Sequence, residues 1–335
     1  MAKVTIDGVR YELLKRTFTA RVDAVEREYK NMKSYTIPEE VTADGDTYRV
    51  TLIGAKAFNN CPLLEEVIIP DSVTEIESQE QFGGIGNTVY SAFRNCTSLK
   101  SITLPNKLTR IGAGAFRNCT GLTSVSIPNS VKKLEYYAFD YCTGLKSITI
   151  PNSVTYLGGF NNCTGLTSIT IPKSVTYLGG FSGCTGLTSI TIPNSVTCLD
   201  GFNGCTGLTS ITIPNSVTGL SGFYKCTGMK SIDIPSSVTY LNAFRNCSNL
   251  TSVIIENEEG AVKIGEYAFK DTNAKITYVG KPKDGALRIM VEVPTLLALL
   301  EGKATEQEVQ TLCLRVKDAG GDATEMEKRL KKYIK

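Results

Sequence analysis

Nine of the eleven cysteines in this chain fall in a spaced series: Cys61, Cys96, Cys119, Cys142, Cys163, Cys184, Cys205, Cys226 and Cys247. Thiols at regular spacing raise three chemistries: disulfides, metal thiolates and apolar packing. Rungs of a stacked strand lie about 4.8 Å apart, a Cα spacing that a disulfide tolerates. Stacked side chains point the same way, however, so their Cβ atoms also stay about 4.8 Å apart instead of the ~3.8 Å a disulfide needs. An odd series also leaves one thiol over. Zinc needs four convergent ligands, and no CxxC pair is present. The series therefore reads as buried, reduced thiols acting as small hydrophobes. Cys198 and Cys313 lie outside it, and neither has an evident mechanism.

Hydroxyls form a second series. One column reads Ser101, Ser124, Ser147, Ser168, Ser189, Ser210, Ser231 and Ser252; its neighbour reads Thr103, Ser126, Thr149, Thr170, Thr191, Thr212 and Asp233. The candidate binding residues are Ser147, Thr149, Ser168, Thr170, Ser189, Thr191, Ser210, Thr212, Ser231 and Asp233. Three readings stand: a solvated sheet, a nearly uncharged recognition surface for a protein or glycan, and a water-ordering lattice. Tyr156, Tyr177 and Tyr240 share a further column, with Tyr136 close by. Aromatic rows stack sugars or anchor partners, though packing on the outer side is the favoured reading. Glu75, Glu77, Glu80 and Phe82 mark an insertion, ESQEQFGGIGNTVY. Its carboxylates raise acid/base or calcium chemistry, but no DxDxDG-like spacing fixes a site, and a solvated loop is expected. Sequons at Asn95, Asn118, Asn162, Asn246 and Asn249 matter only on a eukaryotic secretory route.

The chain has no histidine, hence no imidazole base, no Ser-His or Cys-His pair and no histidine metal ligand. No catalytic residue, cofactor or metal site is expected. A hydrolase using the insertion carboxylates is the least favoured alternative. Net charge is +3, and residues 143–224 carry only Lys146, Lys173 and Asp200. A nucleic-acid surface needs clustered Lys or Arg, so no such partner is expected.

These residues are positioned by a repeat. Residues 143–226 hold four 21-residue copies of one unit, the first reading TGLKSITIPNSVTYLGGFNNC. Such periodicity marks a solenoid, whose units bury their apolar faces only by stacking. In the second copy Leu166, Ile169 and Ile171 alternate with Ser168 and Thr170, the pattern of a half-buried strand. Pro172 ends that strand because it lacks an N–H. Val175 and Leu178 turn inward next, Gly179-Gly180 permits a tight return, and Phe181 and Cys184 close the circuit. The units ending at Cys119 and Cys142 run 23 residues, and those before them carry insertions. Phe58, Phe93, Phe116, Phe139, Phe160, Phe181, Phe202, Phe223, Phe244 and Phe269 mark ten bends.

The flanks differ. Residues 1–34 hold an Asp7-Gly8 hairpin signal and a possible third strand in FTARVDAV, expected to cover the first open edge of the stack. Residues 35–279 form the repeat. Residues 280–335 hold a strand, LRIMVEV, and then short helices, with candidate capping boxes at Thr305/Glu308 and Thr324/Glu327. This tail reads as a cap, or as a docking element built on Leu296, Leu297, Leu299 and Leu300. No run is long and apolar enough for a transmembrane helix, and MAKVTIDGVRYELLKR lacks a signal-peptide h-region. Either the chain is cytoplasmic or its sequence begins after a removed signal.

The recurrent motif IPxSVxxIGxxAFxxCxxLxxI, as in LPNKLTRIGAGAFRNCTGLTSV, resembles the BspA-like branch of the leucine-rich-repeat proteins over roughly residues 35–279. The resemblance implies a β-rich, right-handed curved solenoid of about ten 21–23-residue rungs with the Ser/Thr sheet on its concave face. It also implies a non-enzymatic binding scaffold, secreted or at the cell surface, engaged in adhesion-type recognition. Intracellular docking through the helical tail is the alternative. The asparagine usual after the strand is here mostly serine: Ser130, Ser153, Ser174, Ser195, Ser216 and Ser237.

Overall fold

The structure, a computed structural model, describes residues 2–81 and 88–279. The expectations placed on residues 280–335, Cys313 among them, and on Phe82 and the Glu80 side chain lie outside these residues.

The chain opens with an antiparallel meander, β1 (Ala2–Ile6), β2 (Val9–Leu14) and β3 (Thr19–Val25). Asp7 and Gly8 both take positive φ, 46° and 76°, as a two-residue type I′ hairpin requires. After β4 (Ser34–Thr36), a second hairpin joins β5 (Glu40–Ala43) to β6 (Asp46–Lys56) through Asp44 and Gly45, again both at positive φ. β3 lies parallel on β6, and β6 then pairs with Glu75–Ile76 of the next rung. The meander therefore extends a sheet of the solenoid by direct strand pairing.

Each rung beyond that point makes the same circuit. The Ser-Ile-Thr segment runs outward-inward-outward, and the proline carbonyl that follows accepts a hydrogen bond from the valine three residues on, as from Val175 to Pro172 at 3.1 Å. A two-residue strand comes next, then a turn from Phe to Cys and another from Cys to Leu, such as Cys184 N to Phe181 O and Leu187 N to Cys184 O. The most continuous ladder runs through the two-residue strand. Tyr156–Leu157, Tyr177–Leu178, Cys198–Leu199, Gly219–Ser221, Tyr240–Asn242 and Lys263–Ile264 form one parallel six-stranded sheet. The Ser-Ile-Thr side is the interrupted one. Its paired pieces are β4 with β7 (Glu66–Ile68), Ser124–Ser126 with Ser147–Thr149, and Ser231–Ile234 with Ser252–Ile255 and Lys275–Tyr278. Between them the rungs are joined by the isolated Thr170–Thr191 bridge and a hydrogen bond from Thr188 N to Thr167 O at 3.3 Å.

The core is a set of columns. The ten bend phenylalanines, Phe58 to Phe269, stack ring on ring with neighbouring centroids 5.2 to 5.9 Å apart. All but Phe269 are fully buried. Each such side chain contributes roughly 1.5–3 kcal/mol relative to exposure. Gly180 marks a tight bend of the 21-residue rungs that suits glycine. It sits at φ 71°, and a Cβ there would come within 2.4 Å of the Gly159 amide nitrogen.

Candidate functional site

The strand alternation places the candidate residues on one surface. Ser147, Thr149, Ser168, Thr170, Ser189, Thr191, Ser210, Thr212 and Ser231 are exposed, and Asp233 is half-buried. Beneath them Ile148, Ile169, Ile190 and Ile211 are each at most 8% exposed. The hydroxyls of those nine residues make no hydrogen bond among the described residues.

Neighbouring polar columns are used differently. Ser174, Ser195, Ser216 and Ser237 donate to the valine carbonyl of the preceding rung at 2.6–2.7 Å. Thr176, Thr197 and Thr239 donate to the equivalent threonine carbonyl one rung back at 3.2–3.4 Å. The cysteines do the same. Every column thiol from Cys96 to Cys247 donates to the phenylalanine carbonyl of the preceding rung, at 3.0–3.2 Å. They are free thiols, and burial pushes them up, Cys61 to about 11 and Cys142 to about 12. At neutral pH they stay protonated and can donate. Reading them as small hydrophobes caught the burial but not the ladder.

One position before each cysteine the backbone is left-handed. Asn60, Asn95, Asn118, Asn162 and Asn246 all take φ between 59° and 64°, a conformation that asparagine tolerates. Asn118 and Asn95 also chain side chain to side chain, Nδ2 to the preceding Oδ1, with Asn118 to Asn95 at 2.9 Å. The four sequon asparagines in this set are thus tied to the bend.

The two described insertion carboxylates are spoken for. Glu75 pairs with Arg110, and Glu77 with Arg21 at 3.3 Å. Burial pushes the Glu77 carboxyl up, against Arg21, which pulls it down. Arg110 also holds Glu135 at 2.9 Å, and Arg21 holds Glu12 of β2. The Arg21–Glu77 pair ties the meander to a first rung, and Arg110 ties the rungs of Glu75 and Glu135 to each other. Sequence reading missed these pairs because each partner lies on a different strand or rung, between 9 and 56 residues away. Among the described residues no group of three or more Cys, Asp or Glu could hold a metal ion.

A family model for the BspA type leucine rich repeat region matches in six copies, over residues 27–89, 87–201 and 179–284. The chain belongs to the BspA-type leucine-rich repeat family. Among solved structures, this BspA-type chain is similar to a leucine-rich repeat protein from Bacteroides ovatus ATCC 8483. The two are 28% identical, with 83% of this chain and 71% of that one covered and a TM-score of 0.56. A leucine rich cell surface protein from Faecalibacterium prausnitzii A2-165 is 25% identical over 86% of this chain and 99% of that one, with a TM-score of 0.40. No curated protein matches. Proteins with leucine-rich repeats are typically binding or scaffold proteins. Among the described residues no helix is long and apolar enough to cross a membrane.

Proposed function

We propose that this BspA-type protein is a non-enzymatic recognition scaffold, displayed at the cell surface or secreted, that binds a protein or glycan partner. The contact residues are Ser147, Thr149, Ser168, Thr170, Ser189, Thr191, Ser210, Thr212, Ser231 and Asp233. One observation carries this reading. The serine and threonine columns on either side of the turn are consumed by hydrogen bonds between rungs, whereas the hydroxyls of the Ser-Ile-Thr columns up to Ser231 are exposed and unused. Hydroxyls both donate and accept, so such a surface recognises amides and sugar hydroxyls without needing complementary charge. Family membership supports the surface setting.

The test is a binding screen of the purified chain against whole cells, matrix proteins and a glycan array. Alongside it runs the variant with Thr149, Thr170, Thr191 and Thr212 each changed to Lys. Binding by the natural protein that the variant loses supports the reading. Binding that survives the four lysines refutes this face as the site.

A further inference from the structure

A second site is independent of the hydroxyl face. Tyr156 and Tyr177 project from the two-residue strands and stack with centroids 4.6 Å apart and planes within 4°. Their rings lie down over the glycine two residues on: a Cβ at Gly158 would come 3.3 Å from the Tyr156 ring, and one at Gly179 3.1 Å from the Tyr177 ring. Tyr177 therefore covers one face of Tyr156. The other face looks toward the preceding rung, Lys133–Leu134. There the contraction from 23 to 21 residues leaves Tyr136 with no counterpart, and a cavity of about 300 Å³ opens. Its lining includes Lys132, Lys133, Glu135, Tyr136, Thr155 and Tyr156. Tyr136 and Tyr156 are 43% and 45% exposed, although both are large aromatic side chains.

The polar groups are arranged for a ligand that both donates and accepts. Glu135 accepts from Lys133 at 3.0 Å and from Arg110 at 2.9 Å, and from the Ala113 amide at 3.2 Å, which fixes its carboxylate on the cavity wall. The Lys132 ammonium makes no ion pair among the described residues. An open aromatic face backed by a second ring, with ammonium, carboxylate and hydroxyl groups at its rim, matches the two sides of a sugar. The C–H face lies on the ring and the hydroxyls meet the rim. The volume is at the lower end of small-molecule sites. We propose that this cavity is a subsite for a single hexopyranose ring of a glycan, stacked on Tyr156.

The test is saturation-transfer NMR on the full chain with methyl β-D-glucopyranoside, methyl β-D-galactopyranoside and methyl β-D-glucuronoside. A ligand of this size is expected to bind with a Kd on the order of 1 mM, so each probe is used at about 20 mM. Transfer to the ring protons of at least one glycoside is expected. Tyr156→Ala is expected to weaken that binding at least about tenfold. Tyr156→Phe, which keeps the ring face, retains it. Tyr240→Ala, in the same column but away from the cavity, also retains it and controls for disturbance of the sheet. The four-lysine variant of the hydroxyl face leaves it unchanged, so failure of that reading and of this one are distinguishable. No transfer from any probe overturns the proposal, as does transfer undiminished in Tyr156→Ala.

Discussion

The rungs before Cys142 and those after it bury the same columns and share donors to the backbone, but among the described residues only the earlier ones add ion pairs. In the earlier part charges alternate from rung to rung: Glu75, Arg110 and Glu135 make one cross-rung series, and Lys100 reaches back to Glu65 at 2.6 Å. In the 21-residue rungs Lys146, Lys173 and Asp200 make no ion pair among the described residues. The ties here are serine, threonine and cysteine donors to the carbonyl one rung back, of the kind that Thr109 and Cys119 also make in the earlier part. The difference follows from copying. A charge placed on an identical next rung faces its own sign about 4.8 Å away. A hydroxyl, thiol or stacked tyrosine matches itself, and each peptide carbonyl has a second lone pair to accept it. Among the described residues ion pairs join only rungs that have diverged, whereas donors to the backbone join rungs of both kinds.

The largest expected effect should fall on both parts alike. The column thiols are raised above their ordinary value of 9 in the folded chain, Cys142 and Cys205 to about 12. Their contribution is complete below pH 9 and is lost as pH rises toward 12, because the unfolded chain releases those protons first. Each such thiol then forfeits about 1.4 kcal/mol per pH unit. Urea midpoints measured from pH 8 to 11 should fall steeply, in one transition. Two separate transitions would show that the two parts do not share this ladder.

Removing one ring from the phenylalanine column tests the shared core. Phe116→Ala and Phe181→Ala should each lose about 3–5 kcal/mol in urea denaturation. A markedly smaller loss on one side would mean that one part is held mainly by its polar contacts.

Glycine substitutions sharpen the comparison within the later rungs. Gly180→Ala meets both positive φ and a backbone nitrogen, and should destabilise by about 2 kcal/mol or more. Gly219→Ala meets nothing within 4 Å and should stabilise by about 0.5–1 kcal/mol, since alanine restricts the unfolded chain. Thermal melting of both variants separates these signs.

The smallest effect distinguishes the two cements. Raising NaCl to about 1 M weakens in part the half-buried ion pairs among Glu75, Arg110 and Glu135, an effect of under about 1 kcal/mol each. Amide exchange should quicken at Glu75–Ile76 and Arg110–Ile111 and stay unchanged at Tyr177–Leu178 and Cys198–Leu199. Equal quickening in all four would remove the distinction.

Much of this was legible in the repeat. Inward Leu and Ile, the proline stop, the phenylalanine bends and outward Ser and Thr all follow from periodicity, because stacking places like on like. The two-residue strand was not legible as a strand. Tyr156–Leu157 is too short to show alternation, and its pairing depends on the neighbouring rungs. The thiol ladder was hidden because burial and hydrogen bonding leave the same residue in the same place. Likewise the meander's pairing of β3 with β6 leaves no local mark, and the unused state of the Ser-Ile-Thr hydroxyls is visible only beside the columns that are used.

The claim common to both parts is that the cysteine column is a reduced hydrogen-bond ladder running unbroken from Cys96 to Cys247. Alkylation of the native protein with iodoacetamide, read by peptide mass spectrometry, tests it most directly. Among the described cysteines Cys198 alone should react quickly, being the one that is exposed. The column cysteines should react only after denaturation, without added reductant. Column cysteines recovered as disulfide-linked peptides, or labelled in the native state as fast as Cys198, would contradict it.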